Sequence, residues 1–168
     1  LPDNSSKTIT AWNVGCALGY ESFSFAVLLK TKYPKASIKI FANDSDLLAI
    51  SGAPMLTVPQ ELVDTVYGKF LVKGTTGSYS FNKEIKDMIL FEYHDCVHQN
   101  TVPDVDIILA RDVLSILTVP NQTSILSEFK EKLKSTGVVI LGQNEAMPKR
   151  DGWLRHQASG GVVIFSKE

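Results

Sequence analysis

Two cysteines in 168 residues, Cys16 and Cys96, are too few for a disulfide framework. Both fall at the ends of expected strands, where reduced thiols of a cytoplasmic protein are the simplest reading. Histidine is nearly as scarce, with only His94, His98 and His156, and no His/Cys spacing matches a metal site. His94 and His98 share one segment, but it reads as strand into loop, so their spacing does not place both rings on one helix face. An excess of one charge is also missing. Seventeen Lys and Arg stand against 18 Asp and Glu, a formal net charge of −1, with no long run of either sign. That argues against a general nucleic-acid or membrane-surface binder. No apolar run approaches the roughly twenty residues that span a bilayer, and the polar start at residues 1–7 is not a signal peptide. This start also lacks methionine, so a fragment or a processed chain is expected. Internal repeats, low-complexity tracts and a linker long enough to divide the chain are all absent, which points to a single domain over residues 1–168.

What is present describes a folded α/β chain. Apolar residues make up 44% and charged residues 21%, a composition that folds rather than stays disordered. A domain of this length buries about two-thirds of its unfolded surface. The stretch 9–29 organises the rest. Ile9 to Val14 is a short apolar run with strand character; Gly15-Cys16-Ala17-Leu18-Gly19 is a turn; from Phe23 onward the apolar positions recur at helical spacing. Strand, glycine turn and helix make the geometry in which backbone N–H groups at a helix start face an open crevice. A second strand, 38–42, ends in Asn43-Asp44-Ser45-Asp46. An acid at that place in a βαβ unit is suited to a ribose, because one carboxylate accepts from both hydroxyls. The same residues also fit a purely structural turn with a solvated Asp44.

Further along, residues 46–53 read as a short helix capped by Asp44 or Ser45 and stopped by Gly52 and Pro54. Residues 59–67 begin like a helix with proline in its first turn and apolar positions at 62, 63, 66 and 70. Residues 74–78 form a loop, and 79–88 combine a short strand with a helical turn at 83–86, so 54–87 is expected as a helical and irregular insert. Strands follow at 88–95 and 105–112, the second with the near-continuous apolar run of a strand buried on both faces. An amphipathic helix over 122–133 carries Ile125, Leu126, Phe129 and Leu133 on one stripe and is stopped by Thr136-Gly137. A buried strand at 138–142 follows. Residues 153–157 and 162–165 flank Ser159-Gly160-Gly161 as a hairpin. Right-handed crossovers then give a mostly parallel sheet with helices on both faces and one antiparallel strand from the closing hairpin.

These residues resemble a known family over nearly the whole chain. Val14-Gly15-Cys16-Ala17-Leu18-Gly19-Tyr20-Glu21-Ser22-Phe23-Ser24 is similar to the A-G-C-S-T-G-E-E-P-Y-S motif of the CheR-type chemotaxis receptor methyltransferases, in their C-terminal S-adenosylmethionine-binding domain. Ala42-Asn43-Asp44-Ser45-Asp46 resembles the family's A-[ST]-D-I-D. Glu84-Ile85-Lys86-Asp87-Met88-Ile89-Leu90-Phe91, then His94-Asp95-Cys96, resembles E-I-R-x-x-V-x-F followed by H-[DN]-L. Ala110-Arg111-Asp112-Val113-Leu114-Ser115-Ile116-Leu117 is similar to C-R-N-V-L-I-Y-F, and Gly142-Gln143-Asn144-Glu145 to a closing G-x-S-E turn. The resemblance implies a Rossmann-like methyltransferase fold that binds S-adenosylmethionine, or its product S-adenosylhomocysteine. It implies that Gly15 lets the backbone approach the methionine end and that Asp44 holds the ribose. Asp95 and Cys96 would lie against the adenine, with Arg111 and Asp112 on the crevice floor. Tyr20 stands where the family has the first of two acids, which contacts the cofactor. Asp112 replaces an asparagine, Ile116-Leu117 replaces a Tyr-Phe pair, and the family's N-terminal helical domain, which supplies an arginine to the active site, is not among these residues.

The function implied is methylation of a protein glutamate carboxylate in chemotaxis signalling, in the cytoplasm, with a chemoreceptor segment as partner. No catalytic triad is required, because the sulfonium leaves readily and the protein has only to align the reactants. The four departures above favour a second reading, a catalytically silent module used for docking or cofactor sensing. A dinucleotide-dependent oxidoreductase is a third, opposed by Ser22 and Phe23 where its fingerprint needs a third glycine.

Overall fold

Along the first strand Ile9 and Ala11 are buried on one side and Trp12 and Val14 on the other. A strand apolar on both faces must be sandwiched, and the computed structural model, which describes residues 8–148, 152–157 and 162–168, is built accordingly. Seven strands form the main sheet: β1 (Thr8–Val14), β2 (Ser37–Asp44), β6 (Ile89–Tyr93), β7 (Val105–Ala110), β8 (Leu133–Leu141), β9 (Trp153–Gln157) and β10 (Val163–Lys167). Their order is β6-β2-β1-β7-β8-β10-β9. β1 pairs parallel to β2 and β7, β2 to β6, and β7 to β8. β10 alone runs against its neighbours, pairing antiparallel with both β8 and β9. The expected parallel sheet with one reversed strand is what forms; the Ser159-Gly160-Gly161 turn of the hairpin lies outside the described residues.

Helix α1 (Tyr20–Lys32) covers one face, where Phe23, Ala26 and Val27 meet Ile9, Ala11, Ile38, Ile40 and Ile107. Helix α4 (Val119–Lys132) covers the other, and Phe129 sets its ring edge-on to Trp12 at 5.5 Å between centroids. This helix starts three residues before the expected Gln122, with Pro120 in its first turn. It also ends earlier. Leu133 is already extended and paired with Val105, so Thr136 and Gly137 belong to β8 and do not stop a helix. A register shift between Val105 and Ile107 accommodates them. Gly137 is needed for packing, since a Cβ there would stand 2.6 Å from Leu133 Cδ1.

Helix α2 (Leu47–Gly52) is capped by Asp46, whose carboxylate accepts from the N–H groups of Leu48 and Ala49. This corrects the expected cap at Asp44 or Ser45, and the reason is that Asp44 is occupied elsewhere. The insert is less helical than its sequence suggests. It holds a small antiparallel sheet, β3 (Thr57–Val58), β5 (Tyr79–Phe81) and β4 (Leu71–Lys73) in that order, and a single helical turn, α3 (Lys83–Lys86). The helix expected over 59–67 is a 3-10 turn, Gln60–Asp64, followed by extended backbone at Thr65, whose hydroxyl bonds to the Leu62 carbonyl. Its apolar residues Leu62 and Tyr67 serve to pack the insert onto the α1-side core. Phe81 stacks on Phe23 at 4.6 Å and anchors this small sheet to α1.

Candidate functional site

The C-terminal ends of β1, β2, β6 and β7 lie side by side, which is where an open parallel sheet forms its ligand crevice. At the centre the chain leaves β1 through Gly15 (φ +67), Ala17 (φ 47) and Gly19 (φ +90), all in the left-handed region. A Cβ on Gly15 would stand 2.8 Å from Val113 Cγ2, and one on Gly19 would stand 3.1 Å from the Phe91 ring. Conformation favours glycine at both, and at Gly15 the side chain of Val113 leaves no room for a Cβ without a shift. Gly19 N–H donates to the Cys16 carbonyl at 2.9 Å, which closes the bend and starts α1.

Asp44 fastens this bend to β2. Its Oδ2 accepts from Ala17 N–H at 2.7 Å and its Oδ1 from Asp46 N–H at 2.8 Å. Its carbonyl accepts from His94 N–H, so the loop after β6 departs beside it. Cys16 sits beneath the bend against Ala42 and Ile50. Burial, reinforced by the Asp44 charge, pushes its thiol up to about 12. Burial and the Asp95 charge push the Cys96 thiol up to about 11.

A cavity of about 250 Å³ opens at the bend, lined by Gly15, Cys16, Ala17, Leu18, Tyr20, Glu21 and Arg111. Its wall carries an ion pair in which Arg111 Nη1 donates to Glu21 Oε2 at 2.9 Å. The other oxygen of Glu21 accepts from Asn13 Nδ2 at 3.0 Å. Asn13, fully buried in β1, also accepts from the Ser22 hydroxyl at 2.6 Å and so orients the first turn of α1. A second cavity of about 520 Å³ shares Tyr20, Glu21 and Arg111 and is otherwise mostly apolar, with Phe25, Leu28, Leu109 and Ile140 in its walls. The ion pair lies in the wall common to the two recesses.

Among the residues singled out from sequence, Gly15, Tyr20 and Arg111 thus share one cavity wall, and Asp44 stands directly behind it. Asp95 lies on the loop after β6, where its Oδ1 accepts from Val97 N–H at 3.1 Å. Cys96 packs against the α4-side core. Asp112 adopts φ 60 and turns its N–H to Glu145 Oε2, 2.8 Å away. Ile116, in place of the family's tyrosine, is 81% exposed in the turn after β7. Glu21, Asn13 and Glu145 were given no role from sequence. The available signal was a polar residue interrupting an apolar strand at 13 and an acid closing each of two turn motifs at 21 and 145.

The family profile of the CheR methyltransferase SAM-binding domain matches residues 2–162. The chain belongs to this family. Its fold and its cofactor, S-adenosylmethionine, follow from that membership, and the glycine bend with its walled cavity suits such a group. The CheR-type domain is 26% identical over 149 residues to an uncharacterised 104.1 kDa protein of Rhodobacter capsulatus, covering 84% of this chain and 16% of that protein. It is 23% identical over 150 residues to a chemotaxis protein methyltransferase of Listeria innocua, covering 86% of this chain and 56% of that protein. The chain therefore spans about half of the Listeria protein and a small part of the Rhodobacter one. In structure it is similar to PKMT2 of Rickettsia typhi, solved in complex with AdoHcy, with a TM-score of 0.55, 16% identity and coverage of 83% of this chain and 22% of that one. At that identity the likeness speaks for the fold.

Proposed function

We propose that this CheR-type domain moves a methyl group from S-adenosylmethionine to a protein carboxylate, the acceptor being a glutamate in a cytoplasmic chemoreceptor segment. The observation that carries this reading is the cavity at the glycine bend, with bare backbone on one side and the Glu21–Arg111 pair on the other. When bound, the cofactor supplies a methyl group on a sulfonium, which is a good leaving group. A glutamate titrates at about 4.3 in water, so the acceptor arrives ionised and no general base has to be provided. The chain's own part is to align the reactants and to keep water out.

In this reading Gly15 admits the ligand against its backbone. Each Asp44 oxygen already accepts one N–H and keeps a lone pair for a ribose hydroxyl. Asp95 and Cys96 border the adenine, while Asp112 and Arg111 form the floor. Glu21 takes the part of the acid that Tyr20 replaces: it faces the ligand's ammonium, and Arg111 faces the carboxylate.

Isothermal titration of the whole protein with S-adenosylhomocysteine and with 5′-methylthioadenosine, which lacks the amino-acid end, tests the assignment. Micromolar binding of S-adenosylhomocysteine is expected. Asp44→Ala should weaken both ligands about tenfold or more, the cost of charge-assisted hydrogen bonds. Glu21→Gln should weaken S-adenosylhomocysteine alone. Failure of the protein to bind either compound would sink the methyltransferase reading. Binding without transfer to any carboxylate acceptor would favour the docking or sensing module.

A further inference from the structure

Glu145 follows the end of β8 by four residues and is only 8% exposed, yet its carboxylate meets no lysine or arginine among the described residues. It accepts three backbone N–H bonds instead. Oε2 takes those of Asp112 at 2.8 Å and Gly142 at 2.9 Å, and Oε1 takes that of Ser115 at 2.9 Å. Its own N–H donates to the Gly142 carbonyl at 3.1 Å, so the acid closes a tight turn and reaches back into it. Buried carboxylates need such compensation, and here the donors come from two different loops, one after β7 and one after β8. The contact is close: a Cβ on Gly142 would stand 2.5 Å from Asp112 Oδ1 and 2.9 Å from Asp112 N.

The peptide unit whose N–H enters this cradle is the one that carries the Arg111 carbonyl. Asp112 beyond it is held at φ 60, a conformation that a non-glycine residue keeps only when its surroundings fix it. One residue earlier, the Arg111 guanidinium reaches Glu21 across the cavity wall. We propose that Glu145 is a positioning residue for the amino-acid end of the ligand, acting through the Arg111–Asp112 peptide on the Arg111 guanidinium. This rests on the assignment of the Glu21–Arg111 pair made above.

Glu145→Ala removes all three acceptor bonds. Glu145→Gln keeps a carbonyl oxygen that can serve two donors, but turns an NH2 group toward the third. Titration of the full chain, with urea unfolding to confirm that each variant folds, should find S-adenosylhomocysteine binding weakened about tenfold by Glu145→Ala and by less in Glu145→Gln, with 5′-methylthioadenosine unchanged within about twofold. Should the alanine variant not fold, a double-mutant cycle between Glu145→Gln and Arg111→Gln carries the test. Non-additive losses of S-adenosylhomocysteine affinity are expected, because the two residues act as one unit. Equal weakening of both ligands, or additive losses, would reduce Glu145 to a structural staple and overturn the proposal. A wild-type protein that binds neither compound would overturn it together with the reading beneath it, whereas loss of this proposal alone leaves wild-type binding intact.

Discussion

Burial and the neighbouring Asp44 charge hold the Cys16 thiol protonated far above neutral pH, at 3% exposure, whereas Cys96 is shifted less and is partly open. Alkylation requires the thiolate and access to it. With iodoacetamide under native conditions both should react more slowly than a free cysteine, Cys96 before Cys16, as peptide mass spectrometry would record. Prompt labelling of Cys16 would mean that the bend above it opens. Residues of this kind were only half legible from the sequence. Gly15 and Asp44 were readable because a left-handed turn and a strand-end acid leave a clear pattern. Glu21 is legible only as the neighbour of a missing acid: both it and Tyr20 line the cavity, and a sequence does not tell that Glu21 is turned there to pair with Arg111. Asn13 does that turning: it holds Glu21 Oε1 and the Ser22 hydroxyl and thereby fixes the first turn of α1.

Between elements, the start of β7 is tied to β1 and β8 by one carboxylate. Asp106 Oδ2 accepts from Thr10 N–H at 2.9 Å, from the Thr10 hydroxyl at 3.0 Å and from Lys134 Nζ at 2.8 Å. Burial pushes this carboxyl up, but the Lys134 and Thr10 donors outweigh it and hold it below its ordinary 3.8. A folded value below the unfolded one means that the unfolded chain binds more protons between the two. The resulting stability is fully present above the ordinary value and is lost as pH falls through the folded one. Urea midpoints followed downward from neutral pH should therefore drop in the acid range, and Asp106→Asn should flatten that part of the drop. An unchanged acid profile in the variant would rule the tie out as a contributor. Elements this regular were readable in advance where the apolar run was unbroken, as in β7. Where one residue served two purposes they were not. Thr136 and Gly137 look like a helix stop, yet Gly137 is a glycine because Leu133 fills the space above it. The apolar spacing at 59–67 reports packing of a 3-10 turn on a neighbouring core.

Across the whole molecule, the crevice gathers loops from four strand ends, so anything bound there bridges parts of the chain far apart in sequence. A ligand that binds only the folded state adds stability as the logarithm of one plus its concentration over Kd, about 2.7 kcal/mol at a hundredfold excess over Kd. S-adenosylhomocysteine at that excess should raise the urea midpoint accordingly, and Asp44→Ala, with its tenfold or greater loss of affinity, should cut the rise by about half or more at the same concentration. A midpoint indifferent to the compound in the wild-type protein would contradict binding at this crevice. The position of β10 has a consequence of another sort. The latest of the described strands in sequence is not at the border of the sheet; it is wedged between β8 and β9 and is the partner through which β9 joins the rest. Until it has been synthesised, β8 offers an open row of amides and carbonyls to the crowded cell, and a nascent chain must keep that flank shielded until this strand has emerged.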